Sequence, residues 1–240
     1  MVKLVINTNS HYTLALKKLF GDLIDIKYPN FLDIVVVISE SEKNSEPTIM
    51  PIFDLVGIET EKCVVVIESV LNNYDYAGFN ALYLNAEHYL IKSEYYFYLL
   101  DTSSVGPNFY QKIIELTNKY PNKKILAPKV PNSNIILFKY DMIDIYRDMY
   151  NRSLSKKEAI WVEHSVSFRS PDGVLVTSVI NLANGDVIIL GEREHIGRSD
   201  IYNNGYIREI YYYSDFDVTK YVLHNKDGDF KNNVINLQWE

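Results

Sequence analysis

The group of residues best suited to chemistry is Asp101-Thr102-Ser103, which directly follows an apolar and aromatic run at residues 95–100. A carboxylate at the end of a buried strand can hold Mg²⁺ or Mn²⁺, hard cations that prefer oxygen ligands and bridge diphosphates. Such a cation would offset the charge that builds on a departing phosphate group. The alternative is that Asp101 caps a turn through its own backbone, and the spacing alone does not decide between the two.

Three further apolar runs, at residues 4–6, 34–38 and 63–67, are also followed by polar residues. These polar segments are Asn7-Thr8-Asn9, Ser39-Glu40-Ser41 and, after a short turn, Asn72-Asn73. Ligands of open parallel sheets bind at the carboxyl ends of the strands. We therefore expect the polar segments to gather around Asp101 in one ligand site.

The elements that must position this site alternate along the chain. Apolar side chains recur at the i, i+3, i+4 and i+7 spacing of a helix face in residues 12–24, 76–90 and 109–120. The apolar runs between them are continuous, which is typical of strands that are buried on both faces. The alternation predicts an α/β fold, with a mostly parallel sheet flanked by helices.

The last third of the chain has a different pattern. Ala183-Asn184-Gly185 lies between two apolar runs, which is a hairpin signal, and residues 208–213 form another strand candidate. We expect an α/β region over residues 1–140 and a smaller, β-rich region over residues 141–240, joined in one continuous globular unit.

The composition excludes several classes of protein. The net charge of -7 argues against a protein whose main task is to grip nucleic-acid backbone. Cys63 is the only cysteine, so an internal disulfide and a Cys-rich zinc site are excluded. No apolar run approaches the roughly 20 residues of a membrane span, and the N-terminus lacks a signal-peptide pattern, so we expect a cytoplasmic protein.

Taken in order, these segments resemble the GT-A glycosyltransferases, especially the family-2-like nucleotide-sugar transferases, over roughly residues 1–140. Asn7-Thr8-Asn9 is similar to the Thr-x-Asn-like turn after their first strand, and the segment from Asn73 to Asn80 is similar to their N-x-G-x-x-x-A-x-N segment. Asp101-Thr102-Ser103 falls where they carry Asp-x-Asp. Residues 96–107 also look like the Leu-Asn-Asp-Ser-x-x-Gly-Pro segment of some polysaccharide glycosyltransferases.

The resemblance implies a GT-A-like (Rossmann-like) sheet and a transferase that moves a sugar from a nucleoside-diphosphate donor to a saccharide or other hydroxyl acceptor, in glycan or polysaccharide biosynthesis. It implies Mn²⁺ or Mg²⁺ at Asp101, with His195, in a polar stretch predicted as a loop, as the last metal ligand. The residues expected to contact the donor nucleotide are Asn7, Thr8, Asn9, Glu40, Asn73, Asn80, Ser103, Arg193 and Arg198. The two arginines suit bidentate contacts with phosphate. Two departures stand out: Ser103 occupies the place of the second Asp, and Ser39-Glu40-Ser41 that of an Asp which contacts the nucleoside.

An inverting transferase also needs a general base that deprotonates the acceptor hydroxyl. The candidates, in order, are Glu163, Glu158 and Asp144, although each of them also fits a solvated charge on a helix. Asp215-Phe216-Asp217 has Asp-x-Asp spacing, but it lies outside the predicted parallel sheet, and we interpret it as a turn.

Two other interpretations stay open. A non-catalytic carbohydrate-binding or assembly protein would have kept the fold and lost the chemistry, and Ser103 in place of the second Asp favours it. Another nucleotide-using α/β transferase is disfavoured, because the sequence has neither G-x-G-x-x-G after its first strand nor a Walker-type phosphate loop. The sequence leaves the oligomeric state open, a homo-oligomer included.

Overall fold

The computed structural model describes residues 1–10, 12–71, 76–128, 135–143, 187–199 and 208–223. Within these residues the chain forms a mixed α/β fold, with a large central sheet and a β-rich C-terminal part. The strands are β1 (Val2–Asn9), β2 (Ile34–Ser39), β3 (Thr48–Pro51), β4 (Cys63–Glu68), β5 (Tyr95–Leu100), β6 (Ser103–Val105), β7 (Ile125–Ala127), β8 (Ile135–Lys139), β9 (Val187–Ile189), β10 (Glu194–Ser199), β11 (Arg208–Tyr213) and β12 (Val218–Leu223). The α-helices are α1 (Thr13–Asp25), α2 (Ile52–Val56), α3 (Ala77–Leu84) and α4 (Phe109–Lys119).

The large sheet has the strand order β3-β4-β2-β1-β5-β8-β7-β9. β4, β2, β1 and β5 run parallel to one another, whereas β3 and β8 pair antiparallel with their neighbours. The chain moves outward from β1 to β2 and β4 and then returns to place β5 on the other side of β1. The strand order therefore reverses between β1 and β5, and the four parallel strands form the centre of a mixed sheet.

Helices cover the large sheet on both faces, which explains its continuous apolar strands. Alternate residues of β1 enter two different core clusters, with Leu4 and Ile6 in one and Val5 in the other. Helices α1 and α4 contribute to the first cluster and α3 to the second. Full burial of one such aliphatic side chain stabilises the fold by roughly 1.5–3 kcal/mol, so strands buried on both faces contribute strongly.

A second sheet has four antiparallel strands in the order β10-β11-β12-β6. β6 follows Asp101 by two residues, so the N-terminal part of the chain contributes a strand to the sheet that the C-terminal part builds. In turn β9 lies in the large sheet, parallel to β7. The two predicted regions are therefore joined by an exchange of strands.

The structure corrects the sequence predictions in two places. The stretch at residues 191–198, predicted as a loop, contains most of β10, which has a bulge between His195 and Gly197. Gly197 has a φ of 143°, a conformation that residues with a side chain rarely adopt. The helix predicted over residues 76–90 ends at Leu84, where the side chain of Asn85 bonds to the Ala81 carbonyl oxygen at 2.9 Å.

Of three other predictions from the sequence, one is confirmed and two lie mostly outside the described residues. The segment around Asp215-Phe216-Asp217 is a turn between β11 and β12, as predicted. Most of the predicted hairpin around Gly185 and most of the helix predicted near residues 141–150 lie outside the described residues. None of the described helices is long and apolar enough to cross a membrane.

Candidate functional site

The candidate site lies at the carboxyl ends of β1 and β5, where the strand order reverses. Asn7 pairs with Leu100 in the parallel register of these strands, and the Asp101 backbone N–H donates to the Asn7 carbonyl oxygen at 3.1 Å. Open α/β sheets bind ligands in the crevice outside the strand ends at such a reversal. The sheet topology thus places Asp101 where a ligand is expected.

Asp101 and Thr8 form the central contact of this site. The Thr8 hydroxyl donates to Asp101 Oδ2 at 2.7 Å, and both residues are buried, with 4% of each exposed. A hydrogen bond to a carboxylate is about twice as strong as one between neutral groups, so this bond fixes the orientation of the carboxylate. The structure therefore brings together two residues that the sequence predicted for one site.

A second predicted pair, Asn9 and Glu40, lies next to the first. The Asn9 side-chain amide donates to Glu40 Oε2, and the Ser10 hydroxyl donates to the Glu40 carbonyl oxygen at 3.0 Å. Glu40 has a φ of 55°, in the left-handed region that costs a residue with a side chain roughly 1–2 kcal/mol. Strained backbone of this kind is concentrated at functional sites. The end of β2 thus presents a carboxylate beside the end of β1.

Lys220, on β12, contacts the segment after Asp101 and was not among the residues predicted from the sequence. Its ammonium donates to Thr102 Oγ1 at 2.5 Å, although the two residues are 118 positions apart, and only 3% of the lysine is exposed. The Tyr221 backbone N–H donates to the Thr102 carbonyl oxygen at 3.0 Å, which holds β12 against the segment after Asp101. No spacing in the sequence could reveal this contact, because it depends on the pairing of β12 with β6.

Ser103 lies opposite Lys220 in the register of β6 and β12. Directly opposed residues of antiparallel strands project from the same face of the sheet. The Ser103 side chain is completely buried, and its hydroxyl finds no hydrogen-bond partner within the part of the chain that the structure describes. A buried hydroxyl left unbonded is costly, and the position lacks a partner that the described residues do not supply.

His195 and Arg198 are brought together on β10 by the bulge at Gly197. Both contact Glu209 on β11, which is buried: Arg198 Nη2 lies 2.6 Å from Oε1, and His195 Nε2 lies 3.3 Å from Oε2. The third predicted residue, Arg193, has its guanidinium 3.9 Å from the ring centre of Tyr211.

The register of the small sheet connects this group to the strand ends. Ser103, Lys220, Tyr211 and His195 oppose one another across β6, β12, β11 and β10 and share one face. Burial is the main cause that raises the pKa of Tyr211, and its hydrogen bond to Glu209 adds to the shift. The predicted joint role of His195 and Asp101 at one metal stays a prediction.

The remaining predicted residues divide into two groups. Asn80 is buried on α3, the helix that covers the face of the large sheet containing Val5. Asn73 and the three candidate bases, Glu163, Glu158 and Asp144, lie outside the described residues.

The predicted divalent cation can be compared with the residues around Asp101. Across the described ranges, no group of three or more His, Cys, Asp or Glu side chains is arranged to hold a metal ion. At the strand ends the motif supplies one carboxylate, Asp101, followed by the hydroxyl of Ser103 in place of a second. The described residues therefore do not by themselves fit Mn²⁺ or Mg²⁺, and the cation stays a prediction.

Comparisons with known proteins give little further information. No family model matches the sequence, and no curated protein matches it. Among solved structures, the chain is similar to the crystal structure of a glycosyltransferase involved in the glycosylation of the major capsid of PBCV-1. The two share 13% sequence identity and a TM-score of 0.40, over 79% of this chain and 82% of the other.

Proposed function

We propose that this protein is a GT-A-like glycosyltransferase, which moves a sugar from a nucleoside-diphosphate donor to a saccharide or other hydroxyl acceptor. The observation that carries the proposal is the hydrogen bond between Thr8 and the buried Asp101, at the point where the strand order reverses. Nucleotides bind at this point in open α/β sheets. The resemblance of residues 7–9 and 96–107 to glycosyltransferase segments supports a sugar nucleotide as the ligand.

The nucleoside would lie toward β2. Glu40 is held there by Asn9 and Ser10, and its carboxylate is an acceptor for a ribose hydroxyl or a base N–H. An acidic side chain that binds ribose is a common part of nucleotide sites in this type of sheet. The diphosphate and sugar would then extend toward Asp101 and Thr102, at the end of β5.

The reaction needs an acceptor oxygen that is made nucleophilic. A carboxylate removes the acceptor's hydroxyl proton, the oxygen bonds to the sugar's anomeric carbon, and the bond from that carbon to the phosphate oxygen breaks. The nucleoside diphosphate leaves with the electron pair of that bond. Glu163, Glu158 and Asp144 remain the proposed bases. We assign the donor to the region over residues 1–140 and the acceptor side to the region over residues 141–240.

A divalent cation, if bound at Asp101, would offset charge on the departing diphosphate. It would require ligands beyond those that the described residues supply around Asp101. The proposed reaction therefore assigns the cation no step.

The test is a thermal-stability screen with UDP-, GDP-, CDP- and dTDP-linked sugars, each with Mn²⁺ and with chelator. A ligand that binds only the native state raises stability by its binding free energy, roughly 2.7 kcal/mol at a concentration of 100 Kd. We expect one donor class to raise the melting temperature of the wild type and to support sugar transfer to an acceptor.

Two variants make the screen specific. Asp101→Asn preserves the shape of the side chain and removes its charge, and we expect it to lose most of the donor-dependent stabilisation and turnover. Asp54→Ala, at an exposed position on α2, should behave like the wild type. Full donor stabilisation and turnover in Asp101→Asn would contradict the proposal.

A non-catalytic carbohydrate-binding protein is the second candidate, and Ser103 in place of a second carboxylate is the observation that favours it. The same screen separates the two functions. Stabilisation by free saccharides, with no stabilisation by any nucleotide sugar and no transfer, would favour the second candidate.

A further inference from the structure

Lys220 is a buried cation that two contacts hold at the strand ends. Its ammonium bonds to Thr102 Oγ1 at 2.5 Å, and β12 pairs with β6 so that Lys220 opposes Ser103. Thr102 is only half-buried, so the group that holds the ammonium reaches the protein surface. The residue that holds the ammonium, Thr102, directly follows Asp101 in the chain.

The charges at this position suit an anionic ligand. An Asp-x-Asp motif with a divalent cation combines two negative charges with two positive ones, which gives a net charge of zero. Asp101 with Lys220 also gives a net charge of zero, because one carboxylate and one ammonium are present. The replacement of the second acid by Ser103 is thus matched by a lysine from the opposing strand. A protein ammonium in a site with little water attracts phosphate more strongly than it would in bulk solvent.

The hydroxyl of Ser103 is the second, independent observation. It is fully buried and has no hydrogen-bond partner in the described part of the chain. It projects from the same sheet face as Lys220, because the two residues are directly opposed. A phosphate oxygen between them would accept one bond from the hydroxyl and one from the ammonium.

We propose that Lys220 and Ser103 bind the diphosphate of the donor and together replace the second carboxylate and the divalent cation of an Asp-x-Asp site. The inference rests on the proposed function, since it names the groups that contact the phosphates of the same donor. It also implies that donor binding does not depend on Mn²⁺ or Mg²⁺.

The experiment is isothermal titration calorimetry of the full chain with UDP, GDP, CDP and dTDP, in chelator and in Mn²⁺. The nucleoside diphosphate that binds is then compared with its own nucleoside. A hydrogen bond to a charged group is worth enough to change affinity about ten- to hundredfold. We expect Lys220→Met to weaken binding of the nucleoside diphosphate by that factor and to leave the affinity for the nucleoside unchanged. Lys220→Arg should retain most of the affinity for the nucleoside diphosphate.

Two more variants separate phosphate binding from a purely structural role. Thr102→Val removes the hydroxyl that holds the ammonium but leaves its charge, so we expect it to weaken diphosphate binding less than Lys220→Met does. Ser103→Ala removes a hydroxyl that has no bond to lose, so we expect its melting temperature to equal that of the wild type while its diphosphate affinity falls several-fold. Ser103→Ala keeps the inference testable if Lys220→Met does not fold.

The outcomes are distinct. If the wild type binds none of the four nucleoside diphosphates, the proposed function fails and the inference falls with it. If the wild type binds one of them and Lys220→Met or Ser103→Ala binds it equally well, only the inference is overturned. Binding that is lost in chelator and restored by Mn²⁺ would also overturn it. Equal losses of diphosphate and nucleoside affinity in Lys220→Met would show a structural role instead.

Discussion

Asp217 links the small sheet to the start of α4 by hydrogen bonds. We therefore expect substitutions at Asp217 and Gly106 to have coupled effects on the free energy of unfolding. The Asp217 carboxylate accepts the Asn108 backbone N–H and the Tyr212 hydroxyl, each at 2.8 Å. Its carbonyl oxygen accepts the Gly106 N–H, also at 2.8 Å. Only 6% of Asp217 is exposed, and its φ of 54° lies in the left-handed region.

The space at Gly106 is filled by the same carboxylate. A Cβ added to Gly106 would lie 2.2 Å from Asp217 Oδ1 and 2.4 Å from its carboxyl carbon, which is far inside van der Waals contact. We expect Gly106→Ala alone to lower the free energy of unfolding by about 1–3 kcal/mol, the usual cost of overpacking. Asp217→Gly keeps the left-handed backbone without strain but removes both side-chain hydrogen bonds, at a cost of about 2–4 kcal/mol.

The double variant should not show the sum of these losses. Without the carboxylate, the methyl group that Gly106→Ala adds has room. The substitution should then lower the free energy of unfolding by less than about 1 kcal/mol, or raise it because alanine restricts the unfolded chain more than glycine does. The expected coupling between the two sites is therefore about 1–3 kcal/mol. Urea unfolding of the wild type, both single variants and the double variant measures it. Strict additivity of the two losses, within about 0.5 kcal/mol, would refute the reasoning.

Two further predictions concern the core. Burial is the main cause that raises the pKa of both Tyr28 and Tyr96. Above about pH 10 the tyrosines of the unfolded chain therefore lose protons that the native state keeps. The free energy of unfolding then falls by up to about 1.4 kcal/mol per pH unit for each tyrosine. Tyr28→Phe should remove its share of this slope in urea unfolding between pH 9 and pH 11, and an unchanged slope would contradict the assignment. Gly78→Ala would place a Cβ 2.5 Å from Tyr98 Cε2 and should cost about 1–3 kcal/mol, whereas Gly21→Ala on α1, with nothing within 4 Å, should be neutral or stabilising by up to about 1 kcal/mol. Equal unfolding free energies for these two glycine variants would count against the packing argument.

The strands that form the site were predictable because each is a continuous apolar run with a polar end. The runs at residues 34–38, 63–67 and 95–100 lie within β2, β4 and β5, and β1 extends the predicted run at residues 4–6 on both sides. Strands of a parallel sheet that is covered on both faces are buried on both sides, so nearly all of their side chains are apolar. Such continuous apolar runs are easily recognised in a sequence. The meeting of Thr8 and Asp101 follows from it, since the carboxyl ends of paired parallel strands adjoin.

The errors arose where local pattern and tertiary pairing disagree. Residues 85–91 keep a helix-like periodicity but form turns after Asn85, whose side chain ends α3 by bonding to the Ala81 carbonyl oxygen. β10 is polar because most of its residues are exposed, and an exposed polar strand looks like a loop in sequence. Lys220 was missed because nothing near it in sequence marks it. Its importance appears only when β12 pairs with a strand more than a hundred residues away.

One face of the small sheet joins the packing of the core to the placement of the ammonium. Val105, Val218 and Tyr213 oppose one another across β6, β12 and β11, and all three are buried in the main core cluster. Two residues further along each strand, the same face presents Ser103, Lys220 and Tyr211. Side chains alternate between the two faces of a sheet. A slip of β12 by one residue would therefore move Val218 out of the core and, at the same time, turn Lys220 away from Ser103. The apolar contacts that hold the sheet to the core therefore also hold the ammonium at Thr102 and opposite Ser103, and the turn at Asp217 sets the register on which both depend.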